Sequence, residues 1–120
     1  MTHEDKELLL VELSARLPYG VKVEYENNIF DIDYISAKYG ELKLDNYLYN
    51  YTIDVGEVKP YLFPLSSMTE EQLLELASIS FENSIDSSIK TLDWLNKNHF
   101  DYRGLIEKSL ALDATNKNIY

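Results

Sequence analysis

The fold of this protein is decided by residues 21–34, which read VKVEYENNIFDIDY. Apolar and polar residues alternate on both sides of Asn27 and Asn28, which is the side-chain period of β-strands. Paired asparagines tolerate positive φ and therefore favour a two-residue hairpin turn. We predict that Val21–Glu26 pairs antiparallel with Ile29–Tyr34 around this turn. The predicted register sets Tyr25 opposite Phe30, Val23 opposite Ile32 and Val21 opposite Tyr34, so that the apolar side chains share one face.

The chain continues with further strand-like patterns. Leu42 and Leu44 alternate with charged residues, and tyrosines follow at positions 47, 49 and 51. These patterns predict one or two more strands. Residues 55–65 also look extended, but Pro60 and Pro64 cannot donate hydrogen bonds to a strand ladder. We therefore predict that this segment is an edge strand or a loop laid over the core.

Helices are predicted before and after the strands in the sequence. The first runs from about His3 to Leu17, because Thr2 is a suitable N-cap and Pro18 excludes helical geometry at the residue before it. A capping box formed by Thr69 and Gln72 starts a second helix.

The last part of the chain predicts two more helices. A third helix ends at Asn98 and His99 and carries an apolar stripe at spacings of four and three, namely Phe81, Ile85, Ile89, Leu92 and Leu95. Asp101 is the predicted cap of a short final helix that bears Leu105, Ile106 and Leu110.

The order of helix, sheet and helices is typical of an α+β fold. We predict one domain over residues 1–120, with an N-terminal helix, a small antiparallel sheet of three to four strands, and three C-terminal helices. The predicted core consists of Leu9, Leu13, Val23, Ile32, Ile85, Ile89 and Leu92.

Composition excludes several classes of function. The 120 residues include 21 acidic and 11 basic side chains and no cysteine, for a net charge of −10. Without cysteine there is no disulfide, thiolate metal site or cysteine nucleophile. Nucleic-acid binding is not expected, since no cluster of Lys and Arg occurs. We expect a cytoplasmic protein, without membrane association or cofactor, because no membrane-spanning run, secretory signal or cofactor motif is present.

Three blocks of the sequence are similar to segments of a known group of proteins. They read ARLPYGV (15–21), KPYLFPLSSMT (59–69) and HFDYRGLIEK (99–108). Together they resemble short uncharacterised proteins encoded in phage and prophage-like regions of gut Bacteroidetes. The resemblance implies an accessory protein of a mobile element, and it carries over no activity and no site residue.

The polar face of the predicted hairpin is a weak candidate for a cation site. The predicted register places Glu24 opposite Asp31, with Asp33 nearby, and facing like charges destabilise a sheet unless something offsets them. A divalent cation or a basic partner is one explanation. The alternative is a solvated face on which Lys22 softens the repulsion.

A second group of candidate residues follows the third helix. His99 titrates near neutral pH and could form an acid–base group with Asp101 and Arg103. The structural alternative is that His99 ends one helix while Asp101 caps the next. We predict that Arg103 pairs with a carboxylate inside the fold rather than with a partner. The candidate binding residues are Tyr61, Phe63, His99, Asp101, Tyr102 and Arg103, and no catalytic residue is assigned.

Three functional hypotheses remain open. The first is a non-enzymatic interaction protein with a protein partner, bound through a tyrosine-rich sheet edge or through Lys59–Thr69, since ten tyrosines are present and Tyr is favoured at interfaces. The second is an acidic decoy that mimics nucleic acid and occupies a host DNA-binding protein. The third is a small enzyme that uses carboxylates or His99.

Overall fold

The computed structural model describes residues 1–120 and combines three α-helices with one mixed β-sheet. The helices are α1 (His3–Arg16), α2 (Glu70–Ile79) and α3 (Ile85–Lys97). The strands are β1 (Lys22–Tyr25), β2 (Asn28–Ser36), β3 (Glu41–Leu44), β4 (Ile53–Asp54), β5 (Lys59–Pro64), β6 (Phe100–Asp101) and β7 (Leu112–Asp113). The order across the sheet is β4-β3-β2-β1-β5-β6, and β7 also pairs with β5. The predicted α+β class is therefore confirmed.

The hairpin of β1 and β2 forms in a different register from the predicted one. Val23 lies opposite Phe30, and Tyr25 lies opposite Asn28. The turn is made by Glu26 and Asn27, both with positive φ (49° and 66°), instead of by the two asparagines. Because the register moves by two residues, Val21, Val23, Tyr25, Phe30 and Ile32 still face the core. Tyr34 does not, because the pairing of β2 with β3 is irregular between Ile32 and Tyr34, and Tyr34 is 45% exposed.

Electrostatics explain why this register is preferred. It sets Lys22 opposite Asp31, and the Lys22 ammonium lies 2.8 Å from the Asp31 carboxylate. The predicted register would have placed Glu24 against Asp31, which is a like-charge pair. Glu24 instead lies opposite Ile29.

The first helix packs its apolar face on the sheet, which buries the predicted core residues of this region. Leu9, Leu13 and Val23 are fully buried, and Ile32 is partly buried against the same cluster. The α1 N-cap is Thr2, whose hydroxyl accepts a hydrogen bond from the Asp5 amide at 3.1 Å. The main core lies between α1 and the strands β1, β3 and β5.

The segment after β4 forms a central strand, so the prediction of an edge strand or a surface loop is wrong. β5 pairs with β1 at Val23–Pro60 and Glu24–Lys59, and it pairs with β7 and β6 on its other side. The ladder with β7 starts only at Tyr61, and Pro64 is the last residue of β5. Neither proline therefore interrupts a long run of backbone hydrogen bonds.

The sheet has seven strands instead of three or four, and it is mixed because β6 and β7 run parallel to β5. Three of the additional strands, β4, β6 and β7, are only two residues long. Two residues are too few to show an alternating pattern, so such strands leave no signal in the sequence.

The predicted final helix does not form, and the segment 102–109 is a series of turns between β6 and Leu110. Gly104 and Ser109 have left-handed backbone conformations, with φ of 74° and 62°, which an α-helix cannot accommodate. Asp101 still caps this segment, because its carboxylate accepts hydrogen bonds from the amides of Leu105 and Ile106 at 2.9 and 3.0 Å.

α2 starts at its predicted capping box, and α3 ends where predicted. The third helix starts later than predicted, because its N-cap is Ser84 and Phe81 lies in the loop before it. The Thr69 hydroxyl accepts from the Gln72 amide at 3.2 Å, and the Gln72 side chain accepts from the Thr69 amide at 2.9 Å, which completes the capping box. α3 ends at Lys97 with Asn98 as its C-cap. None of the three helices has the length and apolar character needed to cross a membrane.

Candidate functional site

Six large apolar side chains are exposed on α2, on α3 and in the loop between them. We call this set the hairpin face, and it consists of Leu73, Leu74, Phe81, Ile85, Ile89 and Leu92. Their exposed fractions lie between 45% and 87%. Single exposed apolar residues are normal on a monomer, whereas contiguous apolar patches mark interaction surfaces. Within this set, Ile85, Ile89 and Leu92 share one side of α3 by their spacing.

The predicted core is wrong for α3. The three α3 residues assigned to the core, Ile85, Ile89 and Leu92, are exposed. α3 instead turns Trp94 inwards, where the indole stacks on the Phe100 ring with centroids 5.6 Å apart. The indole N–H donates to Glu75 Oε1 at 3.0 Å. One large aromatic with a satisfied polar group therefore sets the rotation of α3, and the aliphatic stripe is left outside.

A cavity of about 560 Å³ opens between α2 and α3. Its apolar lining is formed by Ile79, Phe81 and Trp94, so it shares Phe81 with the hairpin face. Three carboxylates also line it, those of Glu82, Asp86 and Asp93. Asp86 pairs with Lys90 at 3.0 Å, whereas Glu82 and Asp93 take part in no ion pair. The cavity therefore combines an apolar floor with unneutralised negative charge.

Negative charge also surrounds the hairpin face as a whole. Residues 70–97 contain Glu70, Glu71, Glu75, Glu82, Asp86 and Asp93, against Lys90 and Lys97. A partner with the opposite charge would therefore approach this surface favourably, and a partner with the same charge would be repelled.

A buried ion cluster joins α1 to the loop after β6. The guanidinium of Arg16 lies 2.8 Å from Glu12 Oε2, and both side chains are fully buried. Arg103 Nε lies 2.8 Å from the other Glu12 oxygen. The predicted internal pairing of Arg103 is therefore confirmed.

Burial shifts the pKa values of the cluster. It raises the pKa of Glu12, while the charges of Arg16 and Arg103 act in the opposite direction. It also lowers the pKa of Arg16, against the effect of the Glu12 charge. Sequence reasoning missed this pair, because Arg16 in the last turn of a helix is already explained by the helix dipole. The only available signal was the spacing of four between Glu12 and Arg16, which also fits an exposed pair.

His99 is a buried aromatic residue rather than an exposed acid–base group. Its ring stacks on Tyr120 with centroids 3.8 Å apart, and it lines a second cavity of about 460 Å³ with Phe63 and Lys97. Burial first, and then the charge of Arg16, lowers the pKa of His99 to about 4. The imidazole is therefore neutral at pH 7, and its Nδ1 has no hydrogen-bond partner.

The predicted group of His99, Asp101 and Arg103 does not assemble into one site. Asp101 accepts from backbone amides, and Arg103 pairs with Glu12. Tyr102 donates its hydroxyl hydrogen bond to Asn96 Oδ1 at 2.8 Å. Its ring lies near the guanidinium groups of Arg16 and Arg103, at 5.1 and 5.7 Å. These side chains hold the fold together in separate contacts.

The two candidates on β5 differ in exposure. Tyr61 is buried, and its carbonyl accepts a hydrogen bond from the Tyr120 hydroxyl at 2.7 Å. Phe63 is partly buried and packs against Phe100 and Tyr120. Neither ring stands out from the surface as an anchor for a partner.

The three hairpin carboxylates are dispersed rather than gathered. The predicted juxtaposition of Glu24 and Asp31 is wrong, since Glu24 accepts from the Asn27 amide at 3.3 Å while Asp31 pairs with Lys22. Asp33 lies 3.4 Å from the Lys43 ammonium. No group of three or more acidic or histidine side chains that could hold a metal ion occurs in the structure.

No protein-family model, no curated protein and no solved structure matches the chain. The relation to phage and prophage proteins therefore stays a prediction.

Proposed function

We propose that this protein is a non-enzymatic interaction protein that binds another protein through the hairpin face. The observation that supports the proposal is the exposure of six large apolar side chains on α2, α3 and their loop. Covering such side chains releases about 25 cal/mol for each Å² of apolar surface removed from water. A few well-packed side chains provide most of the binding energy in protein interfaces, so the loss of one or two of them should be measurable.

The tyrosine-rich sheet edge is the weaker docking surface. Tyr47 packs edge-on against Tyr25, Phe30 and Tyr51, so much of this aromatic surface is already used inside the fold. Tyr49 is 89% exposed and belongs to none of these pairs. It therefore offers a comparison site, since it is exposed and aromatic but lies outside the hairpin face.

The three blocks that resemble phage and prophage proteins support an accessory role in a mobile element. An accessory protein that acts by binding needs a surface for its partner, and the hairpin face provides one. The partner is a different protein and not a second copy, because two copies would bring two acidic rims together.

The proposal is tested by comparing which proteins co-purify with the wild type and with the variant Ile85→Asp plus Ile89→Asp. We expect the variant to fold normally, because both side chains are exposed, and to lose the partner. Tyr49→Asp introduces one carboxylate at an exposed position elsewhere, and it should retain the partner. Urea unfolding of the three proteins confirms that they are equally folded.

Two results would contradict the proposal. Loss of the partner in Tyr49→Asp alone would assign binding to the tyrosine-rich edge. Partner binding that weakens steeply with salt but is unaffected by the α3 substitutions would favour the acidic decoy instead, since exposed charges are screened by salt and an apolar contact is not.

A further inference from the structure

We propose that the element that covers the hairpin face is a basic amphipathic helix of the partner. This inference depends on the proposed function and adds the chemistry of the partner to it. Three observations support it: the geometry of the α3 stripe, the charge around the face, and the cavity between α2 and α3.

The stripe of α3 has the geometry that receives a helix. Ile85, Ile89 and Leu92 are spaced at four and three residues, so they lie above one another on one side of α3. A facing helix with the same spacing of apolar residues can pack its side chains between them. An extended peptide would instead need an unpaired strand edge, which α2 and α3 do not offer.

The charge around the face selects a basic partner. The six carboxylates and two lysines of residues 70–97 leave a net charge of −4. An amphipathic helix with Lys or Arg beside its apolar stripe would place those cations against the acidic rim. An acidic helix with the same stripe would meet repulsion at the same distance.

The cavity between α2 and α3 suits one long cationic side chain. Lys and Arg have apolar stems and charged ends. The cavity opens beside the stripe, because its carboxylates Asp86 and Asp93 directly follow Ile85 and Leu92, whereas Trp94 lines it from the inward side of α3. The stem would lie along Phe81, and the charged end would meet the unpaired carboxylates of Glu82 and Asp93. Aromatic faces also attract cations, which adds to the fit.

Trp94 makes the inference directly measurable. It is the only tryptophan of the chain, and it lines the cavity. Its fluorescence therefore reports occupation of this site in the full-length protein. The probes are three synthetic peptides: an amphipathic Leu–Lys helix, an amphipathic Leu–Glu helix, and a Leu–Lys peptide of identical composition whose apolar stripe is scrambled.

We expect the Leu–Lys helix to change the Trp94 fluorescence with saturation, and to bind at least about tenfold more tightly than the other two peptides. The double variant Glu82→Gln plus Asp93→Asn should weaken that binding about tenfold. The control Glu4→Gln plus Glu57→Gln removes the same net charge from exposed positions outside residues 70–97, and it should bind as the wild type does.

Four results of the peptide experiment overturn the inference: no saturable change with the Leu–Lys helix, equal binding of the Leu–Glu helix, equal binding of the scrambled peptide, or equal weakening in the control variant. Concentration-dependent dimerisation in sedimentation, abolished by Ile85→Asp, would also overturn it, because a second copy would then cover the face. Failure of the proposed function is separate, since that is read from the loss or retention of the co-purified partner.

Discussion

Arg16 and Glu12 form a fully buried ion pair one turn apart on α1, with the guanidinium Nη2 2.8 Å from Glu12 Oε2. The same nitrogen donates to the Phe100 carbonyl at 2.7 Å, which ties α1 to β6. Nε and Nη1 of Arg16 are buried without a hydrogen-bond partner. The charge of Glu12 is therefore the main compensation for a cation held away from water.

Glu12→Gln should lower the free energy of unfolding by about 3–5 kcal/mol, because the buried guanidinium loses its counter-ion. The measurement is urea unfolding at neutral pH. Glu7→Gln is the control, since it breaks the exposed contact between His3 and Glu7 on the same helix and should change little. Similar midpoints for the two variants would show that the buried pair does not stabilise the fold. Replacing both partners, by Glu12→Leu with Arg16→Met, should recover much of the loss.

Arg103→Gln should destabilise the protein less, by about 1 kcal/mol, because its side chain is 47% exposed and water replaces part of the lost contact. The reason for any loss is the ion pair with Glu12. In the Glu12→Gln background, the same substitution should therefore cost less than in the wild type. Additive losses in the two backgrounds would rule out the pair as the cause. Lys108→Gln, at an exposed residue without an ion pair, serves as the control.

We expect the protein to lose stability on acidification because of the lowered pKa of His99. Its pKa falls from 6.5 to about 4 in the folded protein, mainly through burial. The unfolded chain then binds the proton more readily, so the stability present at neutral pH is lost as the pH falls from about 6.5 towards 4. The expected loss between pH 7 and pH 5 is about 2 kcal/mol.

The test of His99 compares urea unfolding of the wild type and His99→Asn at both pH values. Asn tolerates the positive φ of 60° at this position, so the backbone is preserved. The raised pKa of Glu12 affects both proteins, and the difference between their pH dependences isolates the imidazole. An identical pH dependence would refute the assignment, and His3→Asn, at the exposed histidine, should behave as the wild type.

Thr69→Ala should lower the free energy of unfolding by about 1 kcal/mol, because the Gln72 amide loses its hydrogen bond at the start of α2. Ser66→Ala is the matched control at an exposed hydroxyl close by in the chain. Equal urea midpoints for the two variants would contradict the cap. Circular dichroism should show the helix loss only in Thr69→Ala.

Local rules predicted the parts of the fold that depend on neighbours in sequence. Thr2 and Thr69 mark helix starts because a cap needs only the next three residues. The core-facing side of β1, with Val23 and Tyr25, follows from alternation, and a shift by two residues leaves it intact. The register itself could not be predicted, because Glu26 adopts a positive φ that its residue type disfavours.

Features that depend on contacts between residues distant in the chain could not be predicted from the sequence. Ile85 and Ile89 point outwards because Trp94 stacks on Phe100 and donates a hydrogen bond to Glu75, and both partners are in other elements. The burial of Arg16 depends on the Phe100 carbonyl and on the loop after β6. The pattern of one helix does not show which side its neighbours will cover.

The hydrogen bond from Arg16 to Phe100 joins positions 84 apart in the chain, which has a consequence for the order of folding events. β1, β2 and β3 follow one another directly, so their hairpins can close early, whereas β6 reaches β5 only through a long loop closure. Until that step the guanidinium stays hydrated, and its dehydration belongs to the late stage of folding. Substitutions at Glu12 and Arg16 should therefore accelerate unfolding and leave the folding rate nearly unchanged.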